Sequence, residues 1–466
     1  MTTTIIAGLK LRLKGSLLQP GDEEYDTARK VYNGMIDKRP AFIARCANVG
    51  DVIEAVNFSR ENGLLTAIRS GGHNGAGLGV CDDGLVIDLS GLRGIHVDPQ
   101  ARTVWVEAGN TLGDVDRATH AFGLAVPSGV FSTTGVGGIT LGGGLGYLTR
   151  HFGLAIDNLL EANLILADGS FVKANARENA DLFWAIRGGG GNFGVVVSFL
   201  FRLQPVSTVY AGPMLWELEA AEDALRWYSN FIRSAPDEVN GFFAFLTVPP
   251  VAPFPEHLHG KKMCGIVWCY SGDPEKADGF LHSIHSFRTP ALDFVGPMPF
   301  PVFQSMFDAL YPPGYSWYWK GDYVNELTDE AIALHLKYGA QLPTPLSTMH
   351  LYPIDGAASR IGNSDTAWNY RNATWAMVIA GIDSSPANDE LITAWARSYW
   401  EALHPYSAGG SYINFMMEEG DDRIKATYGD NYPRLAAIKR KYDPENLFCV
   451  NQNIKPGPLP AETLLS

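Results

Sequence analysis

Three clusters of glycine constrain this chain more than any other feature of its sequence. They lie at Gly71-Gly72, at 135–146, where seven of twelve residues are glycine, and at 188–191. Such a density of glycine disfavours a regular helix or strand in the second cluster. That cluster carries Val, Ile and Leu between its glycines, whereas a flexible linker, the alternative interpretation, is usually polar. We therefore predict loops whose backbones approach one extended ligand.

The first cluster follows a short predicted strand at 64–68. In 69–74 (Arg-Ser-Gly-Gly-His-Asn), two glycines let successive N–H groups point into one concavity, which binds a phosphate oxygen without a cation. His73 stands beside that concavity. No second His or Cys lies at ligand spacing, so a metal site is not indicated. An ordinary turn with a surface histidine is the alternative on these residues alone.

Composition narrows the class of protein. A length of 466 residues predicts two or three domains, and a net charge of −14 disfavours nucleic acid and anionic membranes as partners. The five cysteines are scattered, which argues against a disulfide framework and suits a reducing compartment. Residues 1–15 contain no apolar run of signal-peptide length, and no stretch of the chain reaches the roughly 18 apolar residues that a membrane span needs. We expect a cytoplasmic protein without a membrane partner.

The order of predicted elements divides the chain. The first part combines a polar helix predicted over 22–37, a β–α–β unit and several short strands, but its glycines do not open a helix as they do in a Rossmann fold. From about Ser207, strands alternate with amphipathic helices. Within the aromatic stretch 315–320, a period of two places Trp317 and Trp319 on one face and Tyr318 and Lys320 on the other. One face of this strand lines a pocket, or both faces pack against other elements.

Longer motifs then point to a family. The stretches 69–74, 135–146 with Asp157-Asn158, and 189–196 resemble the FAD-binding domain of the vanillyl-alcohol-oxidase/p-cresol-methylhydroxylase superfamily. The stretches 412–415, 428–435, 441–448 and 451–454 resemble the C-terminal block of berberine-bridge-enzyme-like oxidases, so the resemblance covers nearly the whole chain. It implies an α+β fold in three parts. These are a two-subdomain FAD-binding domain at 1–206 (core about 38–206), a substrate domain at 207–405 with an antiparallel sheet covered by helices, and a C-terminal segment at 406–466 that returns to the first domain.

The resemblance also implies a cofactor, FAD, and the residues that bind it. His73 matches the histidine that carries the flavin through its 8α-methyl group. Many relatives have a second link from a cysteine in Gly-Val-Cys, but the equivalent triplet here ends in Phe131, so we expect a single link. Cofactor contacts are expected from Arg69, Ser70, Gly71, Gly72, Asn74, Gly77, Thr134, Gly135, Gly138, Thr140, Gly142, Gly143, Gly144, Gly146, Asp157, Asn158, Gly194, Val195, Val196, Tyr412, Asn414, Asn451 and Asn453.

The implied reaction is the oxidation of a small alcohol, an amine or a secondary metabolite. Flavin N5 takes the hydride, and O₂ then takes the electrons to give hydrogen peroxide. A dehydrogenase with another electron acceptor and a non-catalytic flavin-binding protein are the alternatives. We disfavour a sugar oxidase, because the large open sites of such relatives usually accompany the double link.

The reaction also needs a base. Tyr412 is the first candidate, with Lys320 as a cation that lowers the pKa of its phenol. The alternative is that Tyr412 only packs against the flavin ring. His350, Tyr352, Asp355 and Tyr370 are further candidates. In several relatives a carboxylate or amide faces the substrate from a strand near 374–382, but here the equivalent position is Val378, so that role is vacant or has moved.

Overall fold

The computed structural model of the chain describes residues 3–458, and these residues form three β-sheets. In the first sheet, three strands run parallel and β1 pairs antiparallel at one edge, in the order β1-β2-β4-β3. Its strands are β1 (Ser16–Leu18), β2 (Phe42–Arg45), β3 (Thr66–Arg69) and β4 (Leu85–Asp88). The parallel pairing follows from the β–α–β unit predicted from the sequence.

The second sheet is antiparallel throughout and has the order β5-β6-β9-β7-β8. Its strands are β5 (Ile95–Asp98), β6 (Thr103–Glu107), β7 (Leu159–Ile165), β8 (Phe171–Asn175) and β9 (Val195–Arg202). One apolar core joins both sheets, from Phe42 in β2 to Phe199 in β9. The two sheets therefore share one core and form the first structural unit of the chain.

The third sheet is larger, antiparallel, and built from residues 208–383 in the order β13-β10-β12-β11-β16-β17-β15, with β14 also paired to β10. The boundary predicted between residues 206 and 207 falls just before its first strand. Its strands are β10 (Thr208–Glu217), β11 (Val239–Thr247), β12 (Lys262–Tyr270), β13 (Leu292–Asp293), β14 (Gly296–Pro299), β15 (Ser316–Val324), β16 (Thr348–Pro353) and β17 (Trp375–Asp383).

Helices cover one face of this third sheet, and the other face is turned toward the two smaller sheets. Alternate strand residues such as Phe243, Leu351 and Met377 pack with α8, α9, α11 and α12, as the period of two requires. The helices are α1 (Thr3–Arg12), α2 (Tyr25–Ala28), α3 (Val49–Glu61), α4 (Leu112–His120), α5 (Val136–Leu141), α6 (Thr149–Phe152), α7 (Ala180–Ile186), α8 (Ala221–Ser234), α9 (Ala277–Ile284), α10 (Phe300–Gln304), α11 (Asp329–Gly339), α12 (Asp389–Leu403), α13 (Asp421–Tyr428) and α14 (Tyr432–Tyr442). This architecture confirms the α+β fold.

The C-terminal segment returns to the first domain. Ile424, Tyr428 and Leu435 belong to the apolar core of the two smaller sheets. Buried Lys439 of α14 donates to the carbonyl oxygens of Asn192 at 2.6 Å and Phe448 at 2.9 Å, and to the Asp443 carboxylate at 2.7 Å. One ammonium group thereby joins the third glycine cluster to the last part of the chain.

Two predictions of local structure are wrong. The helix predicted over 22–37 is reduced to α2, because the backbone N–H groups of Tyr32 and Gly34 bond instead to the carbonyl oxygens of Gly72 and Tyr315. The glycine cluster at 135–146, where we expected no regular helix, contains the short α5, whose Val136 and Leu141 are buried. Tertiary contacts override local propensity in both places.

Asn33 lies in the first of these stretches and joins the two domains. Its side-chain amide donates to the carbonyl oxygens of Gly75 at 2.7 Å and Trp317 at 2.9 Å, and its oxygen accepts from the N–H groups of Trp317 and Met35. The residue is 1% exposed. The amide therefore connects the loop after β3 to strand β15 of the other domain.

We predict that Asn33→Ala lowers the free energy of unfolding by about 2–4 kcal/mol, because it leaves buried backbone groups of both domains without partners. Denaturant unfolding followed by tryptophan fluorescence measures this change. The matched control is Asn230→Ala, an exposed helical position where we expect almost no effect. Equal stability of the two variants would contradict the role assigned to Asn33.

Candidate active site

The three glycine clusters meet in the structure. Gly71 and Gly135 approach so closely that a Cβ atom on Gly71 would lie 2.4 Å from the nitrogen of Gly135. At the other end of α5, the carbonyl oxygen of Leu141 accepts from the N–H groups of Gly188 and Gly190 at 3.1 and 3.0 Å. The clusters therefore form one continuous surface, as the sequence predicts.

A cavity of about 300 Å³ lies between this surface and the open face of the third sheet. Most of the predicted cofactor residues line it. Those on the cavity wall are Arg69, Ser70, Gly71, Gly72, His73, Asn74, Thr134, Gly135, Gly138, Gly142, Gly194, Val196, Tyr412, Asn414 and Asn451. The structure thus brings together residues more than 300 positions apart in the sequence.

Other predicted cofactor residues lie behind the wall. A Cβ atom on Gly146 would lie 1.8 Å from the Ser128 carbonyl oxygen, so this glycine is required by protein packing. Asp157 accepts two bonds of 2.7 Å from the guanidinium of Arg371. Asn158 donates to the carbonyl oxygens of Phe152 and Leu154. The predicted residues outside the lining are Gly77, Thr140, Gly143, Gly144, Gly146, Asp157, Asn158, Val195 and Asn453.

His73 faces the cavity from the loop after β3. Its ring stacks on Tyr32, with centroids 3.9 Å apart and planes 20° apart. The surrounding protein lowers the pKa of His73 to about 4 by desolvation, against a smaller opposite effect of a backbone hydrogen bond to Thr133. The imidazole is therefore neutral near pH 7, and one of its nitrogens carries a free lone pair.

Arg69 lines the same end of the cavity, but its charge is already paired. Its guanidinium donates to the Asp88 carboxylate at 2.8 Å, and both side chains are less than a tenth exposed. A phosphate bound at 70–74 would therefore meet backbone N–H groups rather than a free cation.

Tyr412 is buried against the second glycine cluster. Its hydroxyl oxygen accepts from the N–H groups of Gly144 at 3.0 Å and Leu145 at 3.3 Å, and from the side-chain amide of Asn414 at 2.8 Å. Burial raises the pKa of Tyr412, and these three donors act in the opposite direction.

The structure does not bring Lys320 to Tyr412. The ammonium group of Lys320 lies 2.8 Å from the Glu419 carboxylate and 4.4 Å from the centre of the Trp400 ring. The alternation along β15 directs it to the face of the sheet that helix α12 covers, as the pattern itself indicated. The expectation that Lys320 lowers the pKa of Tyr412 was wrong, because the side chain points away from the cavity and the pKa is raised.

Two further candidates for the base also lie elsewhere. The carboxylate of Asp355 accepts from Arg150 at 2.7 Å. The hydroxyl of Tyr370 donates to the carbonyl oxygen of Ala426 at 2.7 Å. Neither residue lines the cavity. Both side chains hold loops together.

Three neighbouring strands of the third sheet form the cavity wall opposite the glycine clusters. Their lining residues are Trp317 and Trp319 of β15, Thr348, His350 and Tyr352 of β16, and Val378, Ala380 and Ile382 of β17. The aromatic face of β15 therefore lines a pocket. Among the described residues no carboxylate lines the cavity, and Arg69 is the one lining residue with a permanent charge. The wall suits an uncharged, partly aromatic ligand.

The cavity surface fits a large, flat, multiply polar cofactor. Cβ atoms placed on Gly138 and Gly191, both lining residues, would meet no other atom within 4 Å, so these backbones border open space. The side-chain oxygen of Asn451, also a lining residue, is buried without a hydrogen-bond partner in the described part of the chain. Bare backbone and an unpaired buried acceptor are what a bound FAD would cover and pair.

Fold and site together define a two-domain flavoprotein of the p-cresol-methylhydroxylase type. Residues 40–175 match the family model described as "FAD binding domain", and residues 411–455 match "Berberine and berberine like". An FAD-linked oxidoreductase of Dictyostelium discoideum is 33% identical over 447 residues, 95% of each chain. The chain therefore belongs to the berberine-bridge-enzyme-like family of FAD-linked oxidoreductases, as the resemblance predicted.

Two further relatives are informative. (R)-6-hydroxynicotine oxidase of Paenarthrobacter nicotinovorans is 30% identical over 467 residues, 96% of this chain and 98% of that protein. The crystal structure of 6-hydroxy-D-nicotine oxidase from Arthrobacter nicotinovorans superposes with a TM-score of 0.86 at 25% identity and covers 96% of this chain and 99% of that one. Xylooligosaccharide oxidase from Myceliophthora thermophila has the same fold, with a TM-score of 0.86 at 23% identity over 98% and 100% of the two chains.

These findings establish an FAD-dependent enzyme. These relatives include oxidases of a hydroxynicotine and of a xylooligosaccharide, so the substrates within the family are diverse. As for membranes, none of the helices within residues 3–458 is long and apolar enough to cross a bilayer.

The open space next to Gly138 gives a direct test of the cofactor surface. We predict that Gly138→Ala keeps or slightly raises the stability of the flavin-free protein, by up to about 1 kcal/mol, since alanine favours a helix. The flavin-to-protein absorbance ratio should fall several-fold, because the new methyl group enters the cavity. The control is Gly279→Ala, in α9, where the surroundings are equally open but face solvent. It should change the stability by a similar amount and leave the flavin-to-protein ratio unchanged. A normal flavin ratio in Gly138→Ala would contradict the site.

Proposed function

We propose that the protein is an FAD-dependent oxidase of a small alcohol, amine or secondary metabolite, with O₂ as the electron acceptor. The observation that carries this proposal is the cavity itself, which joins the flavin-type glycine surface to a narrow aromatic wall. When bound, FAD supplies a hydride acceptor at N5 and a route for two electrons to O₂, giving hydrogen peroxide.

The residues of the chain divide the binding of the cofactor between them. We assign the pyrophosphate to backbone N–H groups of 70–74 and the isoalloxazine to the surface of 135–146. Asn451 closes the cavity from the C-terminal side. The Asn451 side-chain oxygen, which lacks a partner among the described residues, suits an N–H group of a flavin.

We propose a single covalent link through His73. In its neutral form the imidazole would hold the flavin through a bond from a ring nitrogen to the 8α carbon. That bond would replace a C–H bond of the methyl group, with the proton released and the two electrons taken by the flavin and then by O₂, and stacking on Tyr32 fixes the direction of the ring. Phe131 lines the cavity where relatives carry a second attachment residue. None of the five cysteines, all within the described residues, is among the lining residues.

We propose Tyr412 as the proton acceptor for the reacting group of the substrate, for a reason other than the one expected from the sequence. Three N–H groups converge on its oxygen, although a neutral phenol has two lone pairs. A phenolate accepts all three, so these donors stabilise the charged form in the way that an oxyanion hole does. Burial is the larger effect and raises the pKa of Tyr412, so the three donors reduce a rise that burial alone would make greater.

A substrate screen tests the function. The purified protein is mixed anaerobically with a panel of alcohols and amines, and air is then admitted while flavin absorbance and peroxide are followed. Bleaching by a substrate with recovery within seconds and stoichiometric peroxide is the expected result. Slow recovery would indicate a dehydrogenase with another acceptor, and no bleaching by any compound would indicate a protein that only binds flavin.

Replacing His73 tests the link. We predict that wild-type protein precipitated with acid keeps its yellow colour and has an intact mass raised by one FAD, because a covalent bond survives unfolding. His73→Ala should release all of its flavin under the same treatment. The control His96→Ala, at an exposed position on β5, should behave like the wild type. Flavin retained by precipitated His73→Ala would refute the assignment.

A further inference from the structure

Three polar side chains of β16 form a hydrogen-bonded row along the cavity wall. Thr348, His350 and Tyr352 occupy alternate positions, so all three face the cavity. The Nε2 atom of His350 lies 2.9 Å from Thr348 Oγ1, and its Nδ1 atom lies 2.7 Å from the Tyr352 hydroxyl. In such a row, all hydrogen bonds can be donated toward Thr348 or all toward Tyr352, unless the donor at one end is fixed.

The Thr348 end is fixed by the backbone. Thr348 Oγ1 lies 2.8 Å from the carbonyl oxygen of Phe245, which can only accept, so the one hydroxyl proton of Thr348 is used there. Thr348 Oγ1 must then accept from His350, and Nε2 of His350 carries the proton. The row therefore has a single direction at its first two bonds.

The histidine transmits this direction to Tyr352. Burial lowers the pKa of His350 to about 3, so the ring is neutral and has only one N–H group. With that proton on Nε2, the Nδ1 atom is an acceptor and takes the hydroxyl proton of Tyr352. Because protonated His350 is strongly disfavoured here, the row orients a hydrogen bond and does not store a proton.

The Tyr352 oxygen can therefore only accept hydrogen bonds from a group in the cavity, because its own proton is donated to His350. It has no second hydrogen-bond partner among the described residues. We propose that Tyr352 determines specificity by accepting a hydrogen bond from an O–H or N–H group of the substrate. His350 and Thr348 make it an acceptor, because they fix where its own hydroxyl proton goes. This inference rests on the proposed function and adds a chemical requirement to it.

The substrate group that donates to Tyr352 is distinct from the group that is oxidised. Tyr352 and Tyr412 both contact the ring of Phe415, with centroid distances of 5.7 and 4.9 Å, so the two hydroxyl-bearing rings flank the same part of the cavity. The reacting group is assigned to Tyr412. A substrate that satisfies both oxygens carries a further hydroxyl or amino group besides the one on the oxidised carbon.

The direction of the row is measured first. Holoenzyme labelled with ¹⁵N-histidine is examined at pH 7 by long-range ¹H–¹⁵N correlation, and His350 is assigned by the signals lost in His350→Gln. We expect a neutral ring protonated at Nε2, with an Nδ1 shift that changes in Tyr352→Phe. A ring protonated at Nδ1, or at both nitrogens, would overturn the inference. This measurement needs no substrate.

The selection itself is measured with matched ligands. Benzyl alcohols and benzylamines that differ only by a ring hydroxyl or a ring methoxy group are titrated into the holoenzyme, and the visible flavin spectrum reports binding. In the wild type the hydroxy member should bind about tenfold more tightly, the effect of one hydrogen bond to a buried acceptor. Equal effects of the two members, including no effect of either, would overturn the proposal.

Variants separate recognition from packing. Tyr352→Phe should abolish the preference for the hydroxy member. His350→Leu should reverse it, because the freed Tyr352 hydroxyl can donate to a methoxy oxygen. The control is Tyr147→Phe, a buried tyrosine that contacts the same Phe242 ring as Tyr352 but does not line the cavity; it should keep the wild-type preference. An unchanged preference in Tyr352→Phe would refute the role of Tyr352.

The proposed function and this inference can fail separately. A protein whose bound flavin no compound reduces contradicts the oxidase proposal and leaves the tautomer measurement on the holoenzyme intact. A protein that forms peroxide but does not distinguish hydroxy from methoxy ligands contradicts the inference alone.

Discussion

The structure depends on the contact between Gly71 and Gly135. Each backbone occupies the space that a side chain on the other would need, since Cβ atoms would lie 2.4 and 2.3 Å from the opposite nitrogen. The hydroxyl of Ser70 reinforces the contact by donating to the Ala108 carbonyl oxygen at 2.5 Å and accepting from the N–H group of Gly137 at 3.2 Å. This close approach joins the two smaller sheets and makes one bare backbone surface, on which a planar cofactor can lie without meeting side chains.

The charges near this surface are paired behind it. Arg69 is held by Asp88, Arg371 by Asp157, and Lys439 by Asp443 and two carbonyl oxygens. Buried ion pairs contribute little net stability but lose several kcal/mol when one partner is removed, so they fix the arrangement of loops more than they strengthen the fold. The cavity therefore contains fixed dipoles and few free charges, which is the environment in which hydrogen-bond direction has the largest effect.

Much of this could be predicted from the sequence, because the relevant signals are local. The glycine clusters predict the bare backbone surface on one side of the cavity, and the period of two along 315–320 separates Trp317 and Trp319, which line the cavity, from Lys320, which does not. The same alternation, applied to Lys320 itself, already placed that residue on the wrong face to act on Tyr412. The features that the sequence did not show depend on contacts between residues that are far apart in the chain. Asn33 looked like part of a helix, and its role appears only when Gly75 and Trp317 lie beside it.

The wall of the third sheet can exchange polar groups between strands without altering the glycine surface opposite it. Val378 lines the cavity at the position where the resemblance led us to expect a polar group, and the register places His350 directly opposite it on the neighbouring strand. Residues opposite each other on adjacent strands have Cβ atoms about 5 Å apart on the same face, so a polar group can move from one strand to the next and still face the same cavity. The position that looked vacant in the sequence is therefore accompanied by a polar neighbour. Because the sheet fixes which residues share a face but not which of them is polar, the substrate requirement can shift between strands without disturbing either the core on the helical side or the glycine surface opposite.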